Sequence, residues 1–304
     1  MKKVAMLISD DLLPDQKGRR SDAFEFDEQV EKLVPAFAAE NIIFEPLLWT
    51  EAAAKAADYD AMMPLMVWDY VHGKKRPFLN TMAKAARQTK LLNSYEMIEW
   101  NSDKKYLDEL AKKGAPVIST LSVDRVTETG VNRAFNTLKT DHLIIKPRIG
   151  AAAWRQVSFK KGEPFPKSSE LPPGAALIQP FQKSIEEEGE YSLLFFGGQF
   201  SHALIKRPKA GDYRIQSLYG GTEESYKPTP AQLSVAKRIL NVLDFNPVYA
   251  RVDLLRGRDG NLKLIELELI EPYLYLPHAQ DDGAHNKGAK KLAKAVKRQL
   301  KAKA

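Results

Sequence analysis

Cysteine is absent from the 304 residues. That removes disulfide scaffolds, thiolate zinc sites, iron–sulfur clusters and cysteine nucleophiles from consideration. No apolar run approaches the roughly 20 residues that a membrane-spanning helix needs. The first such run, Val4–Ile8, is too short for a signal-peptide core and gives way to Asp10-Asp11, so it reads as a buried first strand and the protein as cytoplasmic. Neither a Walker A sequence nor Gly-x-Gly-x-x-Gly occurs, and internal repeats are lacking. His72, His142, His202, His278 and His285 show no ligand-like spacing, so no zinc site is expected. Acidic residues are missing from Lys287–Lys303, which holds eight Lys and Arg. Taking those eight from the 46 basic residues leaves 38 against 39 acids, so the net charge of +7 belongs to the tail. It does not describe a basic groove, and nucleic acid is not an expected partner.

What is present suits a soluble chain of two or three domains, 44% hydrophobic and 28% charged. The first hundred residues alternate strand and helix: Val4–Ile8, Ile42–Trp49 and Ala61–Val67 as strands, with helical spacing at Val30, Leu33, Val34 and Phe37. Pro35 is expected to kink or break that helix. Thr50 is placed as the cap of a short Ala-rich helix, Phe78–Thr89 as a helix, and Leu91-Leu92 as the start of a short strand. This βαβ rhythm predicts a small open sheet covered by helices. In the middle, Asp103–Lys113 reads as a helix and Leu143–Lys146 and Val157–Phe159 as strands, followed by a Pro-rich surface connection. The last third is β-rich. Tyr191–Phe196 and Phe200–Lys206 form a plain hairpin around Gly197-Gly198, Ala231–Leu243 a helix, and Tyr249–Leu255 with Leu262–Leu269 a second hairpin. Lys287–Ala304 reads as a helix whose apolar Leu292, Val296 and Leu300 repeat every fourth residue, with the basic residues on a solvated face.

The second hairpin carries the strongest chemical signal. A turn at Asp259-Gly260, or a four-residue loop over Arg258–Asn261, sets Asp253 opposite Glu266 and Arg251 opposite Glu268; a three-residue loop breaks that register. One face then holds Ala250, Val252 and Leu254 against Ile265, Leu267 and Leu269, and the other gathers Arg251, Asp253, Glu266 and Glu268. Opposed acids repel, so a cation belongs between them: Mg²⁺ held by hard oxygens, or, in the plainer alternative, Arg251 bridging acids on a solvent-facing strand pair. Lys146 and Lys206 end apolar strands and Lys104 opens a helix after Asn101-Ser102-Asp103. Each alone could merely snorkel, but with the carboxylates they describe a phosphate site. The small residues Gly150–Ala153 are the one candidate phosphate loop. Trp68, Asp69, Tyr70 and His72 follow a predicted strand, where ligands favour open α/β sheets; Asp10 and Asp11 are weaker candidates of the same kind. Asp69 could anchor an amino group, or cap a helix, and Trp68 could wall a pocket or join the core. Tyr273 and Tyr275 could line substrate or simply pack.

In order along the chain, Trp68-Asp69-Tyr70, Trp100-Asn101-Ser102-Asp103-Lys104, Ile145-Lys146-Pro147, Gln179-Pro180-Phe181, Gly189-Glu190-Tyr191-Ser192-Leu193, Ser201–Pro208, Tyr219-Gly220-Gly221, Ala250-Arg251-Val252-Asp253 and Glu266-Leu267-Glu268 resemble the ATP-grasp superfamily. The resemblance is to the branch with bacterial glutathione synthetase, RimK-type ligases and the D-cycloserine-forming ligase. It implies an α/β (α+β) fold with an N-terminal open α/β domain over 1–98, a small lid domain over 99–180 and a C-terminal antiparallel-sheet domain over 181–304. It implies ATP and two Mg²⁺ as cofactors. Lys104 and Lys146 would contact the nucleotide, Gln179, Pro180 and Phe181 would form the adenine hinge, and Glu190 would lie near the ribose. Lys206 would serve the phosphate and acyl-phosphate region, with Arg214 and Arg251 as catalytic cations, and Asp253, Glu266 and Glu268 would hold the metal. Trp68, Asp69 and Tyr70 are the candidate substrate residues. Three departures stand out: Glu268 where many relatives have Asn, a lid loop mostly of Ala rather than Gly, and Ser192 in place of a basic residue. The implied activity is ATP-dependent joining of a small amino-acid-like acid to an amine, with a RimK-like modification of a peptide terminus or a non-catalytic nucleotide- or nucleic-acid-binding module as alternatives. Relatives of this kind leave room for a homo-oligomer.

Overall fold

The computed structural model describes residues 1–14, 16–281, 283 and 285–302. The N-terminal stretch runs β1 (Lys2–Ile8), α1 (Phe24–Ala38), β2 (Ile42–Leu48), α2 (Ala52–Lys55), β3 (Ala61–Met66), α3 (Lys75–Ala85) and β4 (Lys90–Leu91). Its four strands are all parallel in the order β2-β1-β3-β4, as the βαβ rhythm predicts. β3 is buried at every position, the mark of a strand covered on both faces. Pro35 does not break α1, which is continuous to Ala38. The proline is exposed and in the last turns, so the carbonyl it leaves without a partner can turn to water. Thr50 is not the cap of α2: it lies in a 3₁₀ turn, Trp49–Glu51, and Glu51 precedes the helix.

The middle stretch opens with α4 (Tyr95–Asn101), a helix not expected from the sequence, and α5 (Tyr106–Lys112), which begins three residues after the expected start at Asp103 and leaves Lys104 in the turn between the two helices. β5 (Leu121–Val123), α6 (Glu128–Thr137), β6 (His142–Pro147), β7 (Val157–Lys160) and β8 (Ala176–Pro180) follow, forming an antiparallel sheet in the order β5-β8-β6-β7. Its back is closed by Val131, Phe135, Leu143, Ile145 and Phe159. The other face presents Ile144 and Lys146, and Gln179 and Leu177 opposite them.

The last stretch holds α7 (Ser184–Glu187), β9 (Glu190–Phe196), β10 (Gln199–Arg207), β11 (Thr222–Tyr226), α8 (Pro230–Asn241), β12 (Tyr249–Arg256), β13 (Leu262–Glu268) and α9 (Lys287–Lys301). Its sheet runs β11-β10-β9-β12-β13, antiparallel throughout. Gly197 and Gly198 both take positive φ, +56° and +75°, as a two-residue type I′ hairpin requires. The hairpin is not plain, because a bulge separates Phe200 from His202. α9 buries Leu292 and Val296 in the same core as Leu33 and Phe37 of α1, so the C-terminal helix packs back on the N-terminal unit. The expected helix reached Ala304; Lys303 and Ala304 lie outside the described residues.

β13 is an edge strand, and edges left bare invite mispairing. Here its outer edge is covered. Pro116 and Ile118 bond to Leu264 through their main chain, Leu267 N–H donates to the Tyr106 hydroxyl at 2.9 Å, and the Asn101 amide accepts from Leu269 N–H and donates to Leu267 C=O, both at 2.9 Å. These clasps hold the backbone that carries Glu266 and Glu268.

Candidate active site

The register around the acids is the expected one: Arg251 faces Glu268, Val252 faces Leu267 and Asp253 faces Glu266. The turn that produces it is different. Beyond Asp253 the pairing shifts by one residue, with Leu254 opposite Leu264 and Arg256 opposite Leu262, so the loop over 257–261 has five residues. An odd loop would invert the faces, and a bulge at Ile265 restores them. Ile265 therefore leaves the apolar back face on which alternation put it. It joins Leu255, Phe181 and Ile144 in a small apolar cluster beside the acids.

The result is a cavity of about 300 Å³, walled by the β6–β8 sheet, the β9–β13 sheet and the segment after β3. In it the buried Arg251, Lys206 and Lys146 and the half-buried Lys104 meet Glu190, Asp253, Glu266 and Glu268. Arg251 bonds both oxygens of Asp253, at 3.1 and 3.0 Å, and also reaches Glu268. Lys206, 5% exposed, lies 2.6 Å from Glu190 and 3.7 Å from Asp253. Lys104 lies 3.0 Å from Glu266 and donates to Gly150 C=O at 2.5 Å. Lys146 has only a long bond, 3.4 Å, to Ile265 C=O. Asp253 also accepts from the Ser192 hydroxyl. Arg251 bridges two acids, Asp253 and Glu268, as in the plainer alternative, while the opposed Glu266 is met by Lys104. The site is not solvent-facing as that alternative held, because Asp253 is 2% and Arg251 7% exposed.

Burial and charge set the protonation of these groups. Burial pushes the Lys146 ammonium down to about 8; nearby Glu266 opposes that and Lys104 adds to it. Burial likewise raises Glu268 to about 8 and Glu271 to about 7, against the pull of Arg251 and Lys104. Glu266 and Asp253 are held below the usual range because the cations beside them outweigh desolvation. The Glu268 carboxyl shares the guanidinium of Arg251 with Asp253.

Of the remaining expected residues, Glu190, Gln179, Pro180 and Phe181 line the cavity, as do Trp68, Tyr70 and Arg214. Phe181 stacks on His142 at 4.1 Å. Arg214 is clasped by Asp212 at 2.7 Å and lies 3.8 Å over the Tyr219 ring. Asp69 does not line the cavity. Its carboxylate accepts from the Trp49 indole at 2.7 Å and from Lys74 at 2.6 Å, and its backbone N–H donates to Ser9, so it braces the loop after β3. Asp10 and Asp11 are likewise outside the lining, whereas Tyr273, Tyr275 and His72 are part of it. The loop over 150–156 closes one side. Tyr219 donates to Ala152 C=O and Tyr213 to Gln156 C=O, and Trp154 meets His72 edge-on at 6.4 Å. Ala152, Ala153 and Arg155 all take positive φ there, a conformation ordinarily left to glycine.

Sequence reasoning missed Glu25, Arg20 and Glu271. Glu25 faces the cavity from the start of α1, and burial together with Asp22 and Glu223 raises its carboxyl to about 8. Arg20 lies 5.2 Å over the Trp68 ring. No local pattern marks these residues, since each reaches the cavity only through the packing of the first stretch on the last. Glu271 was within reach, as one more acid three residues beyond Glu268.

The family described as "D-cycloserine synthetase DcsG, N-terminal domain" matches residues 4–93. The cycloserine biosynthesis protein DcsG of Streptomyces lavendulae is 26% identical over 284 residues, covering 88% of this chain and 93% of its own. The crystal structure of D-cycloserine synthetase DcsG superposes with a TM-score of 0.83 at 24% identity, covering 98% of this chain and 100% of that one. D-alanine–D-alanine ligase from Bacillus anthracis, solved in complex with ATP, superposes with a TM-score of 0.66 at 14% identity, covering 99% and 97%. Over nearly its whole length the chain has the fold of the ATP-grasp ligases and is similar to D-cycloserine synthetase DcsG.

Proposed function

We propose that the protein is an ATP-dependent carboxylate–amine ligase that forms an amide through an acyl phosphate on a small amino-acid-like substrate. The observation that carries this reading is the set of four cations, three of them buried, that converge on one cavity with the acids of the β12–β13 hairpin. A carboxylate and a triphosphate repel each other. A site that brings them together must first neutralise them, with charges fixed before the reaction begins.

The residues present fit a nucleotide. Ile144, Phe181, Leu255 and Ile265 offer an apolar slot, and beside it the side-chain oxygen of Gln179 is buried without a partner. Lys104 and Lys146 stand next to the small-residue loop over 150–153. The hairpin acids also fit Mg²⁺ by chemistry, being hard oxygen donors, and Asp253, Glu266 and Glu268 would hold it. Among the described residues, no three His, Asp or Glu side chains are arranged as a ready ligand set, because Arg251 and Lys104 engage these oxygens. Bound there, the ion would screen the phosphates and polarise the transferred one.

In this mechanism a carboxylate oxygen of the substrate attacks the γ-phosphorus, and the bond to the β–γ bridging oxygen breaks, releasing ADP. The amine nitrogen then attacks the acyl carbon, the carbon–oxygen bond to phosphate breaks, phosphate leaves and the nitrogen loses a proton. Lys146 and Lys206 steady the phosphate oxygens in both steps. Arg251 faces the acyl carbon, and Arg214 joins once it leaves Asp212. The 150–156 loop excludes water, which an acyl phosphate would not survive. The substrate lies against Trp68, Tyr70 and the start of α1, where Glu25 would be the counter-charge to a substrate ammonium group. We take 1–98, 99–180 and 181–304 as the substrate, lid and C-terminal catalytic units.

A cavity of this size, closed over by a loop, favours small molecules over a protein terminus as substrates. The test is a panel of amino acids and amines scored for phosphate release from ATP, with products identified by mass spectrometry. Release that requires both an acid and an amine supports the reading. ATP left intact across a panel that includes serine- and alanine-derived amino acids of both hands contradicts it.

A further inference from the structure

In the hinge between β8 and α7 part of the backbone is already engaged. Pro180 has no N–H, and its carbonyl already accepts from the Gln182 side chain at 2.7 Å. Phe181 N–H donates to His142 C=O at 2.9 Å. Among the side chains there, Oε1 of Gln179 is buried without a partner, in a residue 1% exposed on the sheet face shared with Ile144 and Lys146.

The orientation of that amide is dictated by Thr120. The Thr120 hydroxyl lies 2.7 Å from Ile118 C=O, which can only accept, so the hydroxyl proton is committed there. Towards Gln179, at 2.8 Å, the hydroxyl can then only accept. The amide must offer its NH₂ to Thr120, and its oxygen is left for the cavity. Ile118 is itself fixed, because its N–H donates to Leu264 C=O on the clasped edge of β13. A chain of three hydrogen bonds thus runs from the catalytic hairpin to one acceptor beside the apolar slot.

We infer that Thr120 is a positioning residue for base selection: by locking the Gln179 amide it presents an acceptor to the base edge, so that the site takes a purine bearing an exocyclic amine at position 6 and rejects one bearing a carbonyl there. This rests on the nucleotide reading above. Adenine donates to that oxygen. Hypoxanthine, otherwise the same size, sets oxygen against oxygen and leaves the buried acceptor unmet. A free amide could simply rotate and accept either base, which is why the lock carries the selectivity.

The experiment measures Mg-ATP and Mg-ITP binding to the full-length protein by calorimetry. Wild type is expected to prefer ATP by on the order of 100-fold, the scale of one unmet buried acceptor. Thr120→Val removes the hydroxyl at constant shape, frees the amide and lowers the ratio to about 10-fold or less, with ITP binding tighter than in wild type; Thr120→Ser keeps the wild-type ratio. Gln179→Glu, with two accepting oxygens and no orientation to fix, keeps the preference for ATP and loses its sensitivity to residue 120. A ratio unchanged in Thr120→Val, or a Gln179→Glu protein that still responds to residue 120, overturns the inference while leaving ATP binding standing. Wild type that binds neither nucleotide overturns the nucleotide reading and this inference with it.

Discussion

Lys146→Met is expected to move stability and nucleotide affinity in opposite directions. Lys146 is 7% exposed, and its ammonium has a long bond, 3.4 Å, to a carbonyl. Burial pushes its pKa from 10.5 to about 8. At every pH below 8 the folded protein therefore holds this proton less firmly than the unfolded chain does, a cost on the order of 3 kcal/mol. The cost fades as pH rises from 8 to 10.5, where the unfolded chain still carries the proton and the folded one has released it. Methionine fills the same space without a charge, so at pH 7 the variant should melt several degrees higher than wild type, and the gap should close as the pH approaches 10. Against this, a charge-assisted bond to a phosphate oxygen contributes about 1.5–3 kcal/mol, so Mg-ATP affinity should fall about 10- to 150-fold. Thermal denaturation from pH 7 to 10 and calorimetry with ATP read both quantities. A variant that is less stable at pH 7 and binds ATP as tightly as wild type would show that Lys146 is a structural cation, and the electrostatic account of the cavity would fail with it.

Glu266→Gln should reduce ligase turnover at least about 100-fold while its circular dichroism and melting stay close to wild type, because Gln can still accept from Lys104 at the same place; turnover within tenfold of wild type contradicts its role at the phosphates. Asp253→Asn is a poorer test, since it takes the counter-charge from both Arg251 and Lys206 and should cost about 3–5 kcal/mol of stability. His202 is buried against Leu274 C=O, and desolvation pushes its imidazole down to about 4 from 6.5. Between those values the unfolded chain binds a proton that the folded chain refuses, so this residue's contribution to stability falls with pH, by on the order of 3 kcal/mol from pH 6.5 to 4. Urea titrations of wild type and His202→Gln should converge as pH drops through that window, and a constant difference between them would refute the assignment.

Much of the site could be read from the chain because it is carried by alternation. In β12 and β13, period two puts Arg251 and Asp253 on one face and Glu266 and Glu268 across from them, and any even register brings them together. The Asp-Gly pair suggested the wrong turn. The bulge at Ile265 corrects the parity, and nothing local in Leu264-Ile265-Glu266 distinguishes a bulge from regular strand. Asp69 was misread for a related reason: a carboxylate after a parallel strand looks the same whether it meets a ligand or, as here, the Trp49 indole twenty residues back. Pro35 has the sequence mark of a helix breaker, and the chain alone does not show that its side of α1 faces water. The N-terminal half of the cavity, with Glu25 and Arg20, depends on α1 packing against α9 and the hairpin segments, a long-range arrangement that periodicity does not report. Asn101 sat inside a motif already singled out, yet its role as a clasp on β13 appears only when the strand edge is seen.

The central claim is that phosphate is transferred to a substrate carboxylate before the amide forms. Once the acid has been found, it can be supplied with ¹⁸O in both carboxylate oxygens, and the phosphate released with each turnover examined by mass spectrometry. The account predicts one ¹⁸O atom in every phosphate and one retained in the amide carbonyl, with ADP as the nucleotide product. Unlabelled phosphate, or AMP with pyrophosphate, would contradict it.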